Sequence, residues 1–226
     1  AERAVAAGAR VGVFDANASL GRKILIAGKG GLNLTHGEPL PAFLQRYAGA
    51  APWLAPHLEA FTPTDLRAFA AGLGVETFVG SSGRVFPSDL KAAPLLRRWL
   101  ARLRAQGVGL FTRHRWLGSL RPNELAFEGP EGRVEVSTSA LVLALGGGSW
   151  PRLGSDGAWV PALREAGLAV APLQATNCGF EVPWRETFRA RHAGAPVKAV
   201  SARCGNGSPR IGEFVVTEYG VEGSLV

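Results

Sequence analysis

The sequence predicts an α/β fold, and three observations predict it. An apolar run ending in an acid, RVGVFD at residues 10–15, is followed by a Gly-rich basic loop, GRKILIAGKGGLNLTH at 21–36. An amphipathic helix at 91–106 stands between strand-like segments. A continuous apolar run, ALVLAL at 140–145, stops at three glycines and has the pattern of a strand buried on both faces. From about Leu173 the chain turns to short strand-like pieces with Gly and Pro turns, so a mostly-β second domain is expected there. The predicted division is 1–172 and 173–226.

The elements follow in order. Residues 2–8 read as the end of a helix closed by Gly8. Residues 10–15 alternate and read as a strand. A helix followed by a strand tipped with an acid is the second half of a βαβ unit, whose first strand and Gly-rich turn would lie upstream of Ala1. Residues 40–61, apolar with Pro and Trp, predict one or two short helices. Thr62-Pro63-Thr64-Asp65 is a helix start, with a hydroxyl cap and Pro at the first position, and the helix runs to about Gly72 or Gly74. Residues 75–79 and 83–86 read as short strands. In the helix at 91–106, Leu96, Trp99, Leu100 and Leu103 share one face and Arg98 and Arg102 the other; Pro94 requires a start near Lys91. With Arg97 and Arg104 these arginines read as a solvated face. Strands are expected at 108–113, 116–120, 124–128 and 133–137, the last two joined by a turn at 129–132. A helix at about 158–166 carries Pro161 in its early turns.

Composition bounds the reading. The chain has 226 residues, 46% hydrophobic and 19% charged, which fits a folded core and excludes a disordered chain. No apolar run approaches the roughly 20 residues that span a bilayer, and no signal peptide is visible. Two cysteines, Cys178 and Cys204, make no disulfide framework, so a reducing cytoplasm is expected. The sequence has no Met and opens in mid-pattern, so it reads as a piece of a longer protein. The net charge of +7 fits either anionic partners or an Arg-rich composition.

The chemistry concentrates in residues 10–36. A carboxylate at the tip of the second strand of a βαβ unit can accept both hydroxyl hydrogens of an adenosine ribose, and Asp15 has that position; a solvated strand-end Asp is the alternative. Gly21, Gly28, Gly30 and Gly31 let a backbone approach anionic oxygens closely, Arg22, Lys23 and Lys29 add positive charge, and Asn33 and Thr35 add hydrogen-bonding groups. The pairing points to a dinucleotide. A P-loop fails, because Gly30 follows Lys29 where Ser or Thr is required and Gly21 lies too far upstream. His57, His114 and His192 are scattered, without Cys or acid at metal-ligand spacing, so no metal is expected. His36 abuts the glycine stretch and is a candidate acid–base group. No catalytic residue is assigned. No GxSxG elbow is present.

Four motifs carry a resemblance across essentially the whole chain: GRKILIAGKGGLNLTH, GRVFPSDLKAAPLLRRWL, LALGGGSWPRLGSDG and GEFVVTEYGVEGSL. In order and spacing they resemble the bacterial NAD(P)/FAD-dependent oxidoreductase family, the BaiN-like and aminoacetone-oxidase-like flavoproteins. The resemblance implies a three-layer FAD/NAD(P)-binding Rossmann-like domain with an inserted mostly-β domain. It implies non-covalent FAD, NAD(P)H as electron donor, and hydride or electron transfer to a small organic acceptor or O₂. It maps Asp15 to the ribose acid, and Gly21, Arg22, Lys23 and residues 28–35 to the stretch lining pyrophosphate and flavin. Trp116 maps to a strand contact with the adenine. Ala144, Leu145, Gly146 and Gly147 map to the segment crossing the cofactor, and Ser149, Gly154, Ser155, Asp156 and Gly157 to the stretch beside it. The chain departs from the common GGGRCN, having GKGGLN at 28–33, so chemistry needing that thiol cannot occur here and a distinct GKGGLN subgroup is implied. The family's initial GxGxxG turn and C-terminal return are missing, so weak or no FAD binding is expected of this stretch alone. Related flavoproteins act on tRNA, so an RNA-binding flavin fold is one alternative and a non-catalytic flavin-fold remnant another. A small-molecule substrate, no membrane and no nucleic acid are the expected partners, with the oligomeric state open.

Overall fold

In the computed structural model, which describes residues 1–28, 30–175, 178–223 and 225–226, the chain divides into two compact units, Ala1–Val170 and Ala171–Val226. The first unit opens with α1 (Glu2–Ala6), β1 (Gly12–Asp15) and α2 (Arg22–Ala27). It continues through β2 (Thr35–His36), α3 (Leu40–Gln45), α4 (Ala51–Ala60) and α5 (Pro63–Gly72). β3 (Thr77–Val79), β4 (Arg84–Pro87) and α6 (Ala92–Ala105) follow. Then come β5 (Gly109–Thr112), β6 (Arg115–Trp116), β7 (Leu125–Gly129), β8 (Gly132–Val136) and α7 (Trp159–Glu165).

The strand ending in Asp15 forms as its alternation predicts, and it pairs in parallel with β5, Asp15 opposite Thr112. Phe14 stacks on Phe111 at 4.6 Å and on Phe127 of β7 at 4.2 Å between ring centroids. This aromatic stack ties the parallel pair to the β6-β7-β8 meander. The main core lies around α5 and α6: Leu32, Ala70, Leu73, Val75, Ala92 and Leu95 are buried together, with Ile24, Leu34, Phe69 and Trp99 packed against them.

α5 starts on a capping box. The Asp65 amide donates to Thr62 Oγ1 at 3.1 Å, and the Thr62 amide donates back to Asp65 Oδ2 at 2.8 Å. The Thr62 hydroxyl, then its amide, hold the Asp65 carboxyl below the ordinary carboxylate range. Because the folded pKa is lowered, this contribution is complete above the ordinary carboxylate pKa and fades as pH falls through the lowered value. Thr62→Ala is therefore expected to lower stability by about 1 kcal/mol at neutral pH, and the gap to wild type should shrink in acid melts. A gap that does not change with pH would sink this account of the cap.

Three expectations are corrected. First, residues 140–145 form no strand. They pair with no neighbouring edge and Val142 is 88% exposed. An apolar run becomes a strand only where an edge supplies its backbone hydrogen bonds, and here the parallel sheet holds β1 and β5 alone. Second, residues 21–28 are not all loop. Gly21, at φ +71, and Gly28 flank the short helix α2. Third, the arginine face of α6 is largely exposed, as expected, but two of its members also bind within the fold. Arg98 donates to the carbonyls of Leu73 and Gly74. Arg102 pairs with Glu2 at 2.9 Å and lies 4.8 Å over the Phe69 ring. Arg97, Arg98 and Arg104 are exposed, and Arg102 is half-buried. Smaller differences follow the same logic. The strand expected at 116–120 stops at Trp116. Pro161 is the third residue of α7, where the amides have no helical partner to lose.

In the second unit, β9 (Gly179–Glu181), α8 (Glu186–His192), β10 (Pro196–Ala202), β11 (Arg210–Val216) and β12 (Gly220–Glu222) follow one another. The strands form one antiparallel sheet in the order β10-β11-β12-β9. Trp184 Nε1 donates to the Gly220 carbonyl at 3.1 Å, and its ring contacts Phe188 of α8, which in turn contacts His192, both pairs tilted. Both cysteines are free and exposed.

Candidate functional site

The sequence-predicted residues gather at the two ends of α2. At its first turn, Lys23 Nζ donates to Ser155 Oγ at 2.7 Å, and Ser155 is buried. A Cβ added at Gly146 would stand 2.6 Å from that same Oγ. Trp159 Nε1 donates to the Gly146 carbonyl at 3.1 Å, and the Gly157 amide to the Gly147 carbonyl at 3.2 Å. Asp15 lies nearby through Asn17. Asp15 Oδ1 accepts from the Asn17 amide at 2.8 Å and from Asn17 Nδ2 at 3.0 Å, and Nδ2 reaches the Leu153 carbonyl at 3.4 Å. Asn17 thereby clamps the tip of β1 to the 150–155 loop, closed by the Trp150–Ser155 bridge. A Cβ at Gly154 would stand 2.9 Å from Asn17 Nδ2. Sequence reasoning missed Asn17; the signal was an Asn two residues after a strand-end Asp, the spacing of an Asx-turn.

Among the described residues Asp15 Oδ2 takes no protein donor, so half of the carboxylate is available to a ligand. Trp116 stands near the same strand end, because the His114 amide donates to the Asp15 carbonyl at 2.9 Å. Its indole donates to the Ser119 carbonyl at 2.9 Å. Arg22 and Ser149 are exposed. Asp156 Oδ1 accepts from the Ala158 amide at 3.0 Å, starting α7. Ala144 is exposed and Leu145 half-buried, in the unpaired run before Gly146.

At the other end of α2, about 9 Å along a six-residue helix, stand Gly28, Gly30 and Gly31. They are not equivalent. A Cβ at Gly28 would meet Ala92 Cβ at 2.6 Å, and one at Gly21 would meet Leu96 at 2.7 Å. These two glycines let α2 lie against α6. A Cβ at Gly30 would meet nothing within 4 Å, and Gly31 is at φ +102 beside Phe86 and Leu90. Lys29 lies outside the described residues. From Leu32 the chain zips onto β4: Leu34 donates to the Val85 carbonyl at 2.8 Å, Thr35 pairs with Val85, and Gly37 donates to the Gly83 carbonyl at 2.8 Å. Asn33 is exposed.

His36 is held on a hairpin turn, its Nε2 3.2 Å from the Ser82 carbonyl and its Nδ1 accepting from the Glu38 amide at 3.3 Å. Arg46 hydrogen-bonds Glu38 and holds its carboxyl below the ordinary range. A cleft of about 340 Å³ lies on the meander, lined by Leu117, Ser119, Glu124, Ala126, Arg133 and Glu135, none of them a candidate site residue. Among the described residues no three His, Cys, Asp or Glu side chains stand close enough to hold a metal. No helix among them is long and apolar enough to cross a membrane.

The donor set fits a dinucleotide. One carboxylate oxygen at a strand tip takes no donor among the described residues, basic side chains stand at the first turn of α2, and Gly30 and Gly147 leave open space beside their backbones. The family described as the HI0933-like protein Rossmann domain matches residues 1–223. The 3-dehydro-bile acid delta(4,6)-reductase of Clostridium scindens is 29% identical over 219 residues, which cover 95% of this chain and 52% of that protein. The chain thus spans about half the length of the curated relative it matches.

Proposed function

The chain belongs to the HI0933-like Rossmann-domain family, a FAD-binding Rossmann family, and from that premise we propose that it holds FAD along α2 and serves a flavin-dependent oxidoreductase. The observation that carries the reading is the clamp at one end of α2, where Asp15, Asn17 and Lys23 converge with Gly146 and Ser155 from a distant stretch. Asp15 Oδ2 would accept from the ribose hydroxyls of the adenosine half. Lys23 and Arg22 offset pyrophosphate charge, with Ser155 orienting the Lys23 amine. Gly30 and Gly31 let the chain approach the flavin half closely. When bound, FAD would supply two-electron redox chemistry, with NAD(P)H as the proposed donor and a small organic molecule or O₂ as the proposed acceptor.

Residues 1–172 act as the cofactor domain and 173–226 belong to an inserted mostly-β domain, in a cytoplasmic protein of the GKGGLN, BaiN-like subgroup. The substrate is a small molecule. The Clostridium scindens relative is named a reductase, which supports reduction as the chemistry; its substrate is not carried over at 29% identity. An RNA partner is disfavoured because Arg98 and Arg102 are engaged within the fold.

The test is a visible absorption spectrum of the whole purified protein, before and after NADPH or NADH. Flavin bands that bleach on addition are the expected result. Bands that persist would remove NAD(P)H as donor, and a colourless protein that takes up no FAD would remove the reading.

A further inference from the structure

We propose that Leu90 is a positioning residue for the glycine stretch of the flavin site, an inference that rests on the FAD reading above. The motif at 83–90, GRVFPSDL, has no part in that reading so far. Leu90 stands at φ +61, a left-handed backbone that a bulky side chain rarely adopts. Two local bonds impose it. The Leu90 amide donates to the Pro87 carbonyl at 2.8 Å, and the Lys91 amide donates to Asp89 Oδ1 at 3.0 Å.

This conformation turns the Leu90 carbonyl toward the glycine stretch, where it accepts from the Leu32 amide at 3.0 Å. The side chain meanwhile covers Gly31: its Cδ2 lies 3.7 Å from where a Gly31 Cβ would stand, with Phe86 at 3.6 Å. Leu90 is 46% exposed, so burial alone does not explain a leucine where Gly or Asn would be unstrained. Strained residues persist where their surroundings hold them, and they cluster at ligand clamps. Leu90 and Phe86 close one side of Gly31, while Gly30 has open space beside its Cα. The arrangement fixes the stretch from behind and leaves its other side for the flavin half of FAD.

The test compares Leu90→Asn with Leu90→Met in the whole protein. Asn tolerates the left-handed backbone but removes the apolar cover; Met keeps the cover. Three quantities are read: the FAD dissociation constant, the thermal midpoint, and hydrogen exchange at the Gly31 and Leu32 amides without FAD. Leu90→Asn is expected to weaken FAD about five- to tenfold, as follows when the binding-competent fraction falls by that factor. Exchange at Leu32 should quicken by a similar factor while the midpoint stays within about 2 °C. Leu90→Met should stay within about twofold of wild type in affinity. Unchanged affinity and exchange in Leu90→Asn would overturn the proposal and leave the FAD reading intact. A midpoint that falls in step with affinity would show a merely structural role and overturn it too. Wild-type protein that takes no FAD would overturn the FAD reading and this proposal together.

Discussion

Gly28→Ala is expected to lower the stability of the Ala1–Val170 unit by about 1–3 kcal/mol, the range for forcing one extra methyl into a packed core. The backbone is not the reason, since Gly28 sits at φ −83, which alanine adopts freely. The reason is Ala92. The new Cβ would stand 2.6 Å from Ala92 Cβ and 3.3 Å from the Ala92 amide nitrogen. Ala92 is 4% exposed, at the first turn of α6 and within the main core. Neither partner is the loose end of a flexible side chain, so α2 must move off α6. Two controls isolate the cause. Gly30→Ala, with nothing within 4 Å of its Cβ, should change stability by no more than about 0.5 kcal/mol. The double variant Gly28→Ala with Ala92→Gly should recover much of the loss, because the two sites are in direct contact. Chemical denaturation of the four proteins decides it, and a double variant no better than Gly28→Ala alone would refute the contact.

The second large effect concerns binding. Asp15→Asn should weaken FAD about ten- to a hundredfold, as expected when a hydrogen bond to a charged group is lost. The fold should survive. Asn retains a carbonyl oxygen that can accept from the Asn17 amide, so the Asx-turn at the tip of β1 is kept. What is lost is the carboxylate oxygen that takes no protein donor, replaced by an amide donor against the ribose hydroxyls. FMN lacks the adenosine half, so its affinity should be the same in both proteins. Equal weakening of FMN and FAD would place Asp15 somewhere other than at the ribose.

Several parts of this arrangement were legible because their cause is local. The β1 strand follows from alternation, α5 from Thr62 and Asp65, and α6 from its apolar stripe. The β7–β8 hairpin follows from Gly129 and Gly132, which close it in register. The misreadings share another cause. Gly21 and Gly28 looked like loop residues, but Leu96 and Ala92, more than sixty positions away, decide that glycine is needed there. The apolar run at 140–145 matches a buried strand, yet strand formation depends on a paired edge that no window of sequence reveals. Arg98 and Arg102 looked free of protein partners because the carbonyls of Leu73 and Gly74 and the Glu2 carboxylate lie far from them in sequence. At the site, Asp15 and Lys23 were readable as types in a pattern. The clamp that joins them, through Asn17, Leu153 and Ser155, is a product of tertiary folding.

The most direct measurement is a titration of the whole wild-type protein, stripped of any cofactor, with FAD and in parallel with FMN, followed by the flavin absorbance. A site that reads the ribose through Asp15 and the pyrophosphate through Lys23 predicts saturable binding of one FAD per chain and at least tenfold weaker binding of FMN, the factor that corresponds to about 1.4 kcal/mol. Equal affinity for the two flavins, or no binding of FAD, would contradict the account.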